Sequence, residues 1–332
     1  MEKTKSTNYI NIFCIIYNNM KKHIILLFVL LCNSVHAFTP IMISDLNRPG
    51  IKKIDQFNPN KLKHYYKLTR PVSIPYEFGL PLVGGYLTTS DINVFTDPMV
   101  LFIGLLSVLI GSNSMIINDY FDYRSRVDKS DINKVLNQKF VKAEEVLHIS
   151  YILSMISFYL INIFIDNNLV RFILSNAIVF SYIYTPFLKP ITFVKNISAS
   201  LVVTQSLTIS SLIVNRQIRS IMPVAFYLFN MIMWQELQLD ILDIEQDRKT
   251  NIKTIPVVYG KRNTHILSSI LLISGILIPY GFNSHLFILL HIPLIFKTLI
   301  GIKTEKKLKE KDINLFRIIM LFSGVHMCLL LK

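Results

Sequence analysis

The sequence predicts an all-α, polytopic membrane protein built from nine transmembrane helices. Three observations carry that expectation. The 332-residue chain is 52% hydrophobic and 17% charged, with a mean hydropathy of +0.45, outside the range of soluble globular proteins. From residue 70 onward, nine apolar stretches follow one another. The loops between them are alternately rich and poor in lysine and arginine.

The stretches run over 72–88, 99–118, 146–164, 169–188, 197–214, 220–239, 264–282, 285–301 and 313–331. A helix rises ~1.5 Å per residue and needs about 20 residues to cross the hydrocarbon layer, so most are long enough. The first is the weakest, because it carries Glu77 and internal proline. Membrane helices tolerate proline where neighbours satisfy the freed carbonyls. With nine spans, the flank 48–70 and the loops 119–145, 189–196, 240–263 and 303–312 share one side and hold 25 lysines and arginines. The loops of the other side contribute Arg171, Arg216 and Arg219. That asymmetry is the positive-inside bias of a correct span count.

The net charge of +14 is scattered between apolar runs and forms no basic patch interleaved with aromatics. The partner it implies is the anionic surface of a lipid bilayer, not nucleic acid. Cys14, Cys32 and Cys328 lie in apolar surroundings without metal-binding spacing, which excludes a disulfide framework and a zinc site. His285 and His291 read as interfacial or packing residues.

The N-terminal region divides in two. Residues 1–37 read as a signal peptide or signal anchor: Met20-Lys21-Lys22 precedes a short apolar core, and Val35-His36-Ala37 suits a signal-peptidase site. Residues 38–65 form a basic, transit-like leader that begins at Phe38. Together they resemble the bipartite leaders of algae with complex plastids, which implies a plastid membrane. The remaining domain is 66–332.

Two acidic clusters end apolar stretches on the charge-rich side. The first, "NDYFDYRSRVD", places Asn118, Asp119, Asp122 and Asp128 after the second stretch. Asp119 and Asp122 share a face on a continuing helix. The second, "DILDIEQDRKTNIK", places Asp240, Asp243 and Asp247 at i, i+3 and i+7 after the sixth, one helical stripe. A carboxylate at this depth costs about 2.5–3.5 kcal/mol on insertion scales, and like charges ~4 Å apart repel by roughly 4 kcal/mol at an effective dielectric of 20. Six such acids call for cations. Oxygen donors without histidine or cysteine suit Mg²⁺, which also takes phosphate oxygens. Lys134 follows the first cluster, and Arg248 and Lys253 follow the second. Acids that hold metal beside bases that hold phosphate make a diphosphate site.

These motifs resemble those of the UbiA-type intramembrane prenyltransferases: NDxxD in the first cluster, DxxDxxxD in the second, with the ending "DIEQDRKTNIKTIPVVYG". Arg70-Pro71 resembles the family's RP pair, and "YTPFLKPITFVKN" its Tyr/Lys stretch between spans four and five. Asp128 stands six residues after Asp122, a spacing similar to the naphthoate branch; Lys134-Val135 replaces the usual Arg-Pro. The resemblance covers about residues 66–332 and implies a nine-helix bundle around a central cavity. It implies that the six aspartates, helped by Asn118, hold Mg²⁺ against the diphosphate of a polyprenyl donor. Lys189, Lys195, Arg248 and Lys253 would neutralise the leaving diphosphate, with Tyr184 near the reactive carbon. A small hydrophobic acceptor, aromatic or of quinone or chlorophyll type, is then prenylated. A glycerol-phosphate lipid acceptor is the alternative, and a divalent-cation transporter the reading from another class. Hydropathy excludes a soluble terpenoid synthase.

Overall fold

The computed structural model describes residues 59–125, 133–214, 218–250, 252–277, 285–305 and 310–330. The signal segment, most of the leader and Asp128 lie outside the described residues. Among the described residues the chain is helical, without strands. A short helix α1 (Pro59–Leu68) precedes nine longer ones: α2 (Ile74–Thr89), α3 (Pro98–Arg124), α4 (Ala143–Phe164), α5 (Asn168–Ile183), α6 (Val194–Val214), α7 (Met222–Lys249), α8 (Ile255–Leu277), α9 (His285–Thr304) and α10 (Glu310–Leu330). Each of the nine overlaps one predicted stretch.

Local chemistry sets several of these ends. Asp97 caps α3, its Oδ1 accepting from the backbone N–H of Met99 at 2.8 Å and of Val100 at 3.1 Å, with Pro98 at the first helical position. Asn167 caps α5 in the same way, through Leu169 and Val170. Gly260 interrupts α8 with φ 83° and ψ 161°, a conformation open to glycine almost alone. The apolar run beginning at 264 is therefore only the later part of that element.

Five of the nine, Pro98–Arg124, Ala143–Phe164, Asn168–Leu188, Val194–Val214 and His285–Thr304, are long and apolar enough to cross a membrane by length and composition. The others depart for physical reasons. Helix α2 has 16 residues and contains Glu77 and Pro81, and α7 continues beyond its apolar part through the whole second acidic cluster. Large apolar side chains face outward, among them Met155, Phe172, Phe187 and Phe296, the surface expected of a bundle immersed in lipid.

Without a strong hydrophobic drive between helices in lipid, association rests on close packing and hydrogen bonds. The seam between α2 and α6 shows both. A Cβ on Gly84 would lie 1.8 Å from the Leu207 carbonyl oxygen, and the Thr88 and Ser211 hydroxyls pair at 2.6 Å. Asn113, Ser150, Ser154 and Tyr182 close a polar knot across α3, α4 and α5. On the other flank, Trp234 of α7 donates to Thr298 Oγ1 of α9 and stacks on Phe316 of α10 at 5.0 Å. His291 is fully buried and pairs with the Tyr227 hydroxyl at 2.7 Å, in keeping with a packing role.

Candidate active site

Helices α3 and α7 carry the acidic clusters at their C-terminal ends, and the segment joining α5 to α6 brings lysines to both. After Ile183 the chain makes a wide π-helical turn, Tyr184–Leu188, before Lys189. Such turns concentrate at functional sites. The Lys189 ammonium donates to both oxygens of Asp122, at 2.6 and 2.8 Å, and Asp122 is almost fully buried. From the wide turn, Thr185 accepts from the Asn118 amide at 2.9 Å, which leaves the amide oxygen as the end open to a cation. Asp119 is held by Arg70 at 3.0 Å and Lys134 at 3.2 Å. Beside it lies a small, open depression lined by Asp119, Tyr123, Lys134, Val135, Leu136 and Asn137.

The second cluster repeats the pattern. Asp240 is 1% exposed, ion-paired with Lys195 and accepting from the Asn196 amide at 2.8 Å. Asp247 accepts from the Thr254 hydroxyl at 3.0 Å, which folds the chain after α7 back onto the helix end. The Thr192 hydroxyl donates to the Lys253 carbonyl, tying that return to the segment before α6. Asp243, Arg248 and Lys253 are exposed.

One residue missed in the sequence joins the two halves. Glu236 stands one turn before Asp240 and lies within electrostatic range of Lys189, Lys195 and Asp240. Its signal was available: it extends the aspartate stripe by i−4. Tyr184 lies within electrostatic range of Glu236, Lys195, Asp240 and Asp122, so acids of both clusters and Lys195 lie near this ring. Asp247 likewise senses Lys195, Asp240 and Asp243.

Among the described residues, no three histidine, cysteine or acidic side chains gather closely enough to hold a metal by themselves. Asp119, Asp122 and Asp240 stand instead against lysine or arginine, because carboxylates at this depth need counter-charge.

A model of the UbiA prenyltransferase family matches residues 79–323. The chain is similar to the digeranylgeranylglyceryl phosphate synthase of Methanosphaera stadtmanae, 28% identical over 198 residues, covering 59% of this chain and 71% of that protein. It is also similar to the protein of the same name from Pyrococcus abyssi, 30% identical over 156 residues, 46% of this chain and 54% of that one. In fold it resembles a solved digeranylgeranylglyceryl phosphate synthase (TM-score 0.63, 18% identity, 82% of this chain and 99% of that one). It also resembles a UbiA homolog from Archaeoglobus fulgidus bound to DMAPP and Mg²⁺ (TM-score 0.60, 19% identity, 81% and 99%).

Proposed function

The chain belongs to the UbiA prenyltransferase family, and on that premise we propose that it transfers a polyprenyl group from a polyprenyl diphosphate to the hydroxyl of a glycerol-phosphate lipid. The observation that carries the donor half is the convergence of Lys189–Asp122 and Lys195–Asp240 around Tyr184. Acids and bases alternating in one network can receive a metal-bound diphosphate by exchanging partners. The acceptor half rests on the relatives: two archaeal proteins named digeranylgeranylglyceryl phosphate synthase match by sequence. This replaces the aromatic, quinone or chlorophyll acceptor expected from the sequence. The plastid location expected from residues 1–65 draws no support from archaeal relatives, and residues 1–58 lie outside those described.

Mg²⁺ fits the donor set, since Asn118, Asp119, Asp122, Asp240, Asp243 and Asp247 offer oxygen alone, and Asp128 would add another. Bound there, Mg²⁺ supplies Lewis-acid stabilisation of the charge that builds on the departing diphosphate. Lys189 and Lys195 turn from their carboxylates to diphosphate oxygens, with Lys134 and Arg248 at the rim and Lys253 on the exposed side. Tyr184 flanks the carbon that becomes cationic, and the apolar helices around it exclude water. Crossing the bilayer nine times, with both clusters on the basic side, the bundle takes donor and acceptor from the lipid phase.

The test is a panel. Membranes containing the chain are incubated with labelled prenyl diphosphates of several lengths and with a monoprenylated glycerol phosphate, an aromatic hydroxy acid or a chlorophyllide. A phosphorylated ether lipid as the product supports the reading; prenylation of the aromatic acid or the chlorophyllide alone overturns its acceptor half.

A further inference from the structure

Most carboxylates of the site have a cation beside them, but Glu77 does not. It lies in the first turn of α2, where an acid favours the helix dipole, yet its side chain turns toward another helix. A Cβ added to Gly111 of α3 would meet the Glu77 carboxyl carbon at 2.5 Å and each oxygen at 2.7 Å. Glycine at 111 is thus what lets the carboxyl lie against α3. Glu77 Oε2 is buried, and among the described residues it has no hydrogen-bond partner. Nor does any lysine or arginine among them pair with this acid.

The other oxygen tells more. Ser73 Oγ lies 2.9 Å from Glu77 Oε1 and 2.9 Å from the Arg70 carbonyl. A hydroxyl has one hydrogen for these two acceptors. Ser73 donates to Glu77 Oε1 and shares its hydrogen with the Arg70 carbonyl, so Oε1 is anchored while Oε2 keeps its full capacity to accept.

Its position is equally specific. Gly111, Asn118 and Asp122 are seven and eleven residues apart, within about 20° of one stripe on α3. Arg70, at the head of the same α2 segment, reaches Asp119. Glu77 therefore faces the stripe that carries the candidate diphosphate site, about 10 Å further along the helix axis from Asn118.

We propose that Glu77 is the general base that removes the acceptor's hydroxyl proton. This rests on the alcohol acceptor of the proposed function. The C1–O bond to diphosphate breaks with its electron pair leaving on the diphosphate. The hydroxyl oxygen forms the ether bond to C1, and its proton passes to Glu77 Oε2. Asp122 and Asp240 are poorer candidates, since a lysine ammonium already occupies the oxygens of Asp122 and pairs with Asp240.

The experiment separates ionisation from transfer. The full chain in membranes is supplied with Mg²⁺, prenyl diphosphate carrying ¹⁸O in the bridging position, and a monoprenylated glycerol phosphate. Scrambling of ¹⁸O into non-bridging positions reports ionisation, and ether formation reports transfer. Glu77→Gln, which conserves shape, should lower ether formation by about 100-fold while scrambling persists, and Glu77→Asp should recover part of the loss. Gly111→Ala, which displaces the carboxyl, should behave as Glu77→Gln does. Ether formation by Glu77→Gln within threefold of wild type overturns the proposal and leaves the proton to the diphosphate. A parallel fall of scrambling and transfer in Glu77→Gln also overturns it, making Glu77 a residue that positions the donor. If the wild type forms no ether with any glycerol-phosphate alcohol, the acceptor reading itself fails and takes this proposal with it.

Discussion

Lys189 grips both oxygens of Asp122 from a distance of 67 residues along the chain. The wide turn at Tyr184–Leu188 delivers the ammonium to a buried aspartate that would otherwise stand uncompensated. Asp122→Ala should therefore do two kinds of damage. It removes a proposed metal ligand and leaves a poorly hydrated lysine unpaired, a loss of up to about 3 kcal/mol. Turnover should fall at least about 100-fold, with a lower melting temperature in detergent. Pairing it with Lys189→Met should restore the melting temperature but not turnover. Recovery of activity in the double variant would show that neither residue serves the reaction.

Asp240 and Asp243 should separate stability from chemistry. Asp240 is buried against Lys195 and Asn196, whereas Asp243 is exposed on the same stripe. Asp240→Ala should lower both melting temperature and turnover. Asp243→Ala should abolish turnover with the melting temperature unchanged. Near-normal turnover of Asp243→Ala at saturating Mg²⁺ would remove that residue from the ligand set.

Chelation gives a direct check on the cation. EDTA should stop prenyl transfer, Mg²⁺ or Mn²⁺ should restore it, and Zn²⁺ should restore it poorly, because the donors are all oxygen. Undiminished turnover in EDTA would contradict the ion's role.

Gly84→Ala should act through packing alone. Its methyl would meet the Leu207 carbonyl at 1.8 Å, a backbone clash that no side-chain movement relieves, so α2 and α6 must separate. A loss of about 1–3 kcal/mol is expected, read as a lower melting temperature.

The acidic stripes were legible in the sequence because their spacing is local. Asp119 and Asp122, or Asp240, Asp243 and Asp247, show their shared face by counting along one helix. Their partners were not. Lys189 meets Asp122 across 67 residues and Lys195 meets Asp240 across 45, and nothing in local spacing pairs a given lysine with a given aspartate. Lys189 and Lys195 entered through family likeness, without their carboxylates. The wide turn was hidden for a different reason: one extra residue in a helical turn leaves hydropathy untouched. Glu77 was visible, but counted only as a flaw in a weak span. Its contact with Gly111 depends on how two helices meet.

The lysines on Asp122 and Asp240 also bear on how the protein comes into being. With ammonium groups already seated against its buried acids, the polypeptide does not have to wait for a divalent ion before it can fold. If these acids take Mg²⁺ as proposed, loading would come afterwards, as an exchange of partners within a finished scaffold. A cell starved of the ion would accumulate intact but idle copies instead of losing them to quality control, and activity would return on resupply without new synthesis.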